Sequence, residues 1–339
     1  MKVRIFSLIV TLFAVGIYAQ EKPQWQKRLP RALQADFPYT KAAIRQNFPK
    51  NAVANKGMAI VVGRESFMCF DTDLLRWSAG WTGNYLTEDG VSFKGNHGAS
   101  PRVAGDQKFG SSALAGWADS KGSFADPRNE PFGPLPKTQA KWQGCYVVDD
   151  HVVLSYTVGK TQVQEQPGSI EKNGQTVFIR HIKHDGLGAE LASLVCEVEN
   201  AQGGVENGVA ILVSADQVTQ VVLVGAPEGA RLKVQENKRI VAVLPEGIKA
   251  GTFQIRIWSG SKVDHANITK LFKVSAKAEF RKMGKNRWSQ AVIKQGVMNA
   301  SKTLDGAYVT DVIVSPEQNP WNRRVRFGGL DFFSDGNRA

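Results

Sequence analysis

From residue 142 onward the chain divides into apolar runs of strand length, repeating every 8–12 residues or so with no amphipathic helical stretch between them. The runs cover residues 142–148, 151–158, 161–166, 176–182, 190–199, 209–214, 218–224, 230–236, 239–244 and 252–258. Parallel neighbours need long crossovers, usually helical, so strands this closely spaced pair antiparallel. Arg231-Leu232-Lys233-Val234-Gln235 alternates with period two, as a strand with one wet face does. Asp149-Asp150 sits where a hairpin turn is needed, and Pro167-Gly168 is expected to end the third run. Gly (33), Trp (8) and Phe (17) favour turns and an aromatic core. The chain of 339 residues is 42% hydrophobic and 22% charged, which excludes a mostly disordered protein. The expected fold is mostly β: an antiparallel β-sandwich with long glycine-rich loops.

The amino terminus has a different pattern. Met1-Lys2-Val3-Arg4 is basic, residues 5–18 are almost wholly apolar, and Ala19 precedes the polar Gln20-Glu21-Lys22-Pro23. These are the three parts of a secretory signal peptide, with an apolar run short for a membrane span. Residues 1–19 are therefore read as the signal and residues 20–56 as a polar leader with one short helix near 40–46. The sandwich domain is assigned to residues 57–275, with a helix over 264–272 capped by Asp264. Residues 82–136 carry Gly or Pro every few positions and singly spaced aromatics, the pattern of a functional loop region. Residues 276–322 form a connector. Residues 325–333 read as a strand carrying Leu330, Phe332 and Phe333, followed by a turn with little chain left to pair back. The chain accordingly reads as the front of something longer, exported to the periplasm or the extracellular space.

Cys69, Cys145 and Cys196 are odd in number and lie in apolar runs, so buried thiols are expected, although their disulfide state is open. With no Cys-x-x-Cys-His, no cofactor is assigned to this chain. No Walker loop, His-Glu-x-x-His, Gly-x-Ser-x-Gly or nucleic-acid module is present. The net charge of +12 keeps such a chain soluble and names no partner; nucleic acid is not expected. Asp71 and Asp73 share one face of an extended segment and are the candidate metal carboxylates, with turn chemistry as the competing role. His181 and His184 would share a face only on a helix, and their surroundings read as strand. Trp81, Tyr85, His97 and Trp117 are the candidate ligand-binding residues: rings suit the apolar faces of sugars, and His97 lies in a glycine-rich stretch. Trp142 reads as core. Arg323, Arg324 and Arg326 form a basic cluster suited to phosphate, acidic glycan or an interdomain seam.

Several motifs occur in order: Phe70-Asp71-Thr72-Asp73-Leu74-Leu75-Arg76, Trp81-Thr82-Gly83, Gly95-Asn96-His97-Gly98, Phe132-Gly133-Pro134-Leu135-Pro136 and Val153-Leu154-Ser155-Tyr156-Thr157-Val158-Gly159. Glu317-Gln318-Asn319-Pro320-Trp321-Asn322 and Arg326-Phe327-Gly328-Gly329-Leu330-Asp331-Phe332-Phe333 complete the series. It resembles the uncharacterised amino-terminal region of large exported bacterial proteins of the cytochrome-c-domain and membrane-bound-dehydrogenase-like kind. That resemblance implies that residues 323–339 open a truncated β-propeller, that the missing propeller is this chain's partner, and that haem c belongs to the missing carboxyl-terminal part of a redox parent. The expected function is a noncatalytic accessory or ligand-binding module at the front of that parent, with carbohydrate as the small-molecule partner class. Two alternatives stay open: a carbohydrate-active enzyme with its carboxylates in residues 71–136, and a structural scaffold that docks the propeller. No transmembrane span is expected in the mature chain. Exported protein should begin near Gln20; intact-mass measurement checks this, and retention of Met1 with the apolar run contradicts it.

Overall fold

The computed structural model describes residues 38–280, apart from 88, 91–96, 131, 216, 237, 266 and 267, together with residues 292–297, 312–316 and 320. The signal segment, the leader up to residue 37, the basic cluster at 323–326 and the strand expected at 325–333 lie outside the described residues. Within them, sixteen strands and one four-residue helix follow in order. The first eight strands are β1 (Tyr39–Arg45), β2 (Val53–Val61), β3 (Ser66–Asp71), β4 (Arg76–Thr82), β5 (Asp106–Gly110), β6 (Ala140–Val148), β7 (His151–Val158) and β8 (Thr161–Lys172). Then come β9 (Gln175–Leu187), β10 (Leu191–Glu197), β11 (Gln202–Glu206), β12 (Val209–Ser214), β13 (Gln217–Val224), β14 (Arg231–Gln235), β15 (Arg239–Leu244), β16 (Ile248–Ser261) and α1 (Thr269–Phe272).

The strands form two eight-stranded antiparallel sheets, so the mostly β reading holds. One has the order β1-β2-β3-β4-β5-β10-β15-β14 and the other β11-β12-β13-β16-β9-β8-β7-β6. Their facing side chains share one core, with Met58, Met68, Phe70, Trp77 and Phe109 from the first sheet against Tyr156, Phe178, Phe253, Ile255 and Ile257 from the second. The first sheet is thin at its middle, where β5 meets β10 only at Gly110 and Glu197. Residues 116–118 fill the gap beside it: Gly116 N–H donates to the Leu74 carbonyl (2.8 Å), Leu194 N–H to the Gly116 carbonyl (2.9 Å) and Ala118 N–H to the Ala192 carbonyl (2.9 Å). A Cβ at Gly116 would lie 1.9 Å from the Leu75 carbonyl oxygen, so the close approach requires glycine.

A single buried carboxylate joins the two sheets. Glu165 accepts Trp77 Nε1–H (2.6 Å), Tyr156 O–H (2.6 Å), and Arg180 Nε–H (2.6 Å) and Nη2–H (3.3 Å). Arg180 also donates to Ser193 Oγ (3.2 Å) and the Leu194 carbonyl (3.3 Å) on the first sheet. Burial first, and the Glu165 charge next, hold the Tyr156 hydroxyl protonated well above its usual range, which keeps it a donor.

Both sheets also cover their outer faces. Tyr85, Leu86 and Val103 of the glycine-rich segment close over Ala59, Phe67, Cys69 and Trp81, while Phe124 packs on Leu194, Val241 and Val243. On the second sheet, Ile268, Leu271 and Phe272 lie against Val177, Ile179, Val218 and Trp258. Residues 272–280 continue as a strap. Arg256 Nη1 donates to the Phe272 and Val274 carbonyls (both 2.7 Å), Gln254 Nε2 to the Ala276 carbonyl (2.6 Å), and Glu279 N–H to Gln166 Oε1 (2.8 Å).

Several local expectations change. Residues 40–46 are not helical; they lie in β1 and its exit, and β1 pairs with β2, so part of the expected leader is sheet. Their Ala and Lys content suits a helix, but pairing with β2 overrides a weak propensity. Strand β8 runs on through Pro167-Gly168 because β7 pairs with it only as far as Glu165, leaving one side of Pro167 without a ladder. The single helix is α1, whose N-cap position is Ile268 with no side-chain cap; Asp264 instead accepts from Ser261 Oγ (2.8 Å).

Two outcomes follow from this packing. Glu165→Gln leaves the Arg180 guanidinium buried without its counter-charge and should cost about 3–5 kcal/mol in denaturant unfolding. Arg231→Ala, at the exposed pair with Glu190, should change stability by under about 1 kcal/mol. His181 is 6% exposed on the outer face of the second sheet, and burial, then Arg256 and His151, push its pKa down to about 4. The unfolded chain takes up this proton near pH 6.5 and the folded chain only near 4, so the contribution is intact above 6.5 and lost as pH falls between those values. The loss should be about 2–3 kcal/mol by pH 4.5. Denaturant midpoints of the wild type and His181→Gln across pH 7 to 4.5 check this, since the variant should lack that part of the slope.

Candidate functional site

The β2–β3 turn of the first sheet meets the β8–β9 hairpin of the second. Ser66 Oγ donates to Glu171 Oε1 (2.6 Å), Ser169 Oγ donates to the Val62 carbonyl (3.0 Å), and Glu65 N–H reaches Glu171 Oε1 (3.3 Å). A cleft of about 730 Å³ opens beside this junction, lined by Arg64, Lys108, Lys172, Glu171, Asn173 and Asp264 among others. A second cavity of about 460 Å³ adjoins it through the shared Lys108, Gln217 and Ser259, and continues to Phe48, Asp106 and Glu199. A third, of about 230 Å³, shares Glu197, Val198 and Glu199 with the second and extends to Pro49, Lys50 and Lys238. Together they form a polar groove along strand ends and turns of both sheets.

Several of its charges are paired. Lys108 Nζ lies 2.5 Å from Asp106 Oδ2. Glu197 accepts Ser112 N–H (2.5 Å) and Arg239 Nε–H (2.8 Å); burial opposes its charge, but these partners hold its carboxyl below the usual range. Thr219 Oγ1 donates to Ser259 Oγ (3.0 Å). The lining offers amides, hydroxyls and opposite charges at close spacing, which suits a ligand rich in hydrogen-bonding groups.

The residues expected from sequence lie elsewhere. Asp71 Oδ1 accepts the N–H groups of Asp73 (3.1 Å) and Leu74 (3.4 Å), and its Oδ2 lies 3.3 Å from Arg76 Nε. Asp73 Oδ2 is 3.9 Å from Arg128 Nη1, while Arg128 binds Asp126 through Nε (2.8 Å) and Nη2 (2.7 Å). Burial, then the charge of Asp71, raises the Asp73 carboxyl above its usual range. Two guanidiniums thus stand beside the two carboxylates. That arrangement fits a salt-bridged turn better than an oxygen cage. Among the described residues no group of three or more His, Cys, Asp or Glu is placed to hold a metal ion.

The candidate aromatic residues do not form one platform. Trp81 is 0% exposed beneath the glycine-rich cover and Tyr85, part of that cover, is 2% exposed, with ring centroids 6.2 Å apart. Trp117, 1% exposed, lies in the shared core 6.4 Å from the Tyr156 ring, and His97 is exposed. The sugar-stacking face expected of the three rings is therefore not presented to solvent: an interrupted sheet and a bare outer face each needed a large apolar filler. Trp142 packs against the core near Phe70, at 5.8 Å. His181 and His184 point to opposite faces, His181 under the strap and His184 beside Phe253. All three cysteines are free; burial pushes Cys69 and Cys196 up to about 12, leaving both as inert thiols.

Sequence reasoning missed Phe48, which sits in the segment read as leader. The available signal was Gln46-Asn47-Phe48-Pro49, an aromatic in a polar turn, but the residue that pins it, Gln107, is remote in sequence.

No helix among the described residues is long and apolar enough to cross a membrane. A comparison with curated proteins finds no match. Residues 68–165, from within β3 into β8, match a family described as a domain of unknown function, DUF6797.

Proposed function

We propose that this chain is a noncatalytic ligand-binding module at the front of an exported multidomain protein, and that the polar groove is its carbohydrate site. The observation that carries the reading is the division of labour among the polar groups. Asp71 faces Arg76, Asp126 holds Arg128 and Asp119 accepts the N–H groups of Lys121 and Ser123, all away from the groove, while Asp106, which lines it, meets Lys108. Further amides and charges, among them Arg64, Lys172, Asn173, Glu199 and Gln217, gather along the groove. In this reading the two sheets make a β-sandwich. The match to a domain of unknown function over residues 68–165 agrees with an uncharacterised module.

One observation favours the enzyme reading: Asp73, raised by burial and by Asp71, has the character of a general acid. The two readings separate in one experiment. The full chain is run through gels containing polysaccharides and, in parallel, incubated with them while new reducing ends are counted. The binding reading expects retardation without new ends. Reducing ends that appear with the wild type and vanish with Asp73→Asn overturn it in favour of the enzyme, and neither effect leaves the scaffold role.

A further inference from the structure

We propose that Phe48 is the ring on which a neutral sugar residue stacks within the groove, an assignment that rests on the groove reading above. Phe48 lies between β1 and β2, is 38% exposed, and lines the cavity of about 460 Å³ together with Asp106, Lys108, Gln217 and Glu199. Two buried glutamines fix the backbone that carries it. Gln107, 7% exposed, accepts the N–H groups of Asn47 (2.7 Å) and Phe48 (3.4 Å) through Oε1 and donates from Nε2 to the Phe48 carbonyl (2.6 Å). Gln46, 1% exposed, donates to the carbonyls of Phe48 (3.1 Å), Pro49 (2.9 Å) and Ser111 (2.9 Å), and its own Oε1 lies 3.4 Å from Arg76 Nη1.

Water satisfies the backbone of an ordinary surface turn. Here buried side-chain amides from the turn itself and from β5 do so, and they fix the backbone that carries a half-exposed ring at the rim of the cavity. A ring held this way loses little conformational freedom when a ligand arrives. The C–H face of a pyranose is apolar and its hydroxyls are polar, so it fits a phenyl ring flanked by amide and carboxylate acceptors. The charge around Phe48 selects the neutral class. Lys108 is matched by Asp106 and Glu197 by Arg239, while Glu199 shares the adjoining cavity with Lys50, so no excess of one sign is offered to a polymer of uronic acid or sulfated sugar.

The test uses the full chain in affinity electrophoresis against neutral polymers (mixed-linkage β-glucan, xylan, galactomannan and starch) and two anionic ones (pectate and alginate). Retardation by at least one neutral polymer is expected, weakened about tenfold in Phe48→Ala and kept within about threefold in Phe48→Trp. An unchanged melting temperature of Phe48→Ala shows that the loss is local; if that variant is destabilised, the comparison between Phe48→Trp and Phe48→Leu, an apolar side chain without a ring, decides instead. If Phe48→Ala binds like the wild type while Gln217→Ala is weakened, the stacking assignment falls and the groove reading stands. If neither substitution alters retardation, both fall. Retardation by the anionic polymers alone overturns the neutral class, and no retardation by any polymer overturns the proposal.

Discussion

The carboxylate of Glu165 is the constraint on which the two sheets depend. A charge buried between sheets costs several kcal/mol unless its lone pairs are filled and a counter-charge is near. Trp77 supplies one donor from the first sheet, and Tyr156 and Arg180 supply the rest from the second. A one-residue slip of β8 would turn Glu165 to the outer face and leave Arg180 facing apolar side chains. The network therefore fixes the register of β8 and the position of β4 above it together. Apolar packing alone would tolerate neighbouring alignments more readily.

The sheets are apolar on their outer faces as well, and this explains the glycine-rich region. Ala59, Phe67, Cys69 and Trp81 point away from the shared core and need a cover, which Tyr85, Leu86 and Val103 provide. Gly83 and Gly90 serve the turns of that cover, at φ of 89° and 80°, where the left-handed backbone favours glycine. The second sheet solves the same problem with α1 and the strap, anchored by Arg256, Gln254 and Gln166 around His181.

Strand identity was legible in the sequence because burial on one face writes a period of two into the residues, as in Arg231-Leu232-Lys233-Val234-Gln235. Strand β1 was not, since Ala42-Ala43-Ile44-Arg45 carries helical propensity and only its pairing with β2 decides the matter. The site was less legible still. Isolated tryptophans look the same in sequence whether they face solvent or are buried, and both Trp81, on β4, and Trp117 are buried. Phe48 was obscured for the opposite reason: it stands in a polar stretch, and Gln107, which holds it, comes from β5, brought beside it by the fold.

The net charge is equally uninformative about the groove. Lining the larger cleft, Arg64, Lys108 and Lys172 stand against Glu65, Glu171 and Asp264, three basic side chains against three acidic ones. The excess of twelve positive charges in the whole chain is thus not expressed there. Long-range attraction in such a cleft is weak and is screened within about 10 Å at moderate salt. In the proposed carbohydrate role, discrimination would rest on short-range hydrogen bonding and contact with Phe48, and both depend on the backbone held at the strand ends. That rigidity returns to the core: Arg76, which reaches Gln46 Oε1 and the Ser111 carbonyl (2.5 Å), opens β4, the strand that carries Trp77 to Glu165.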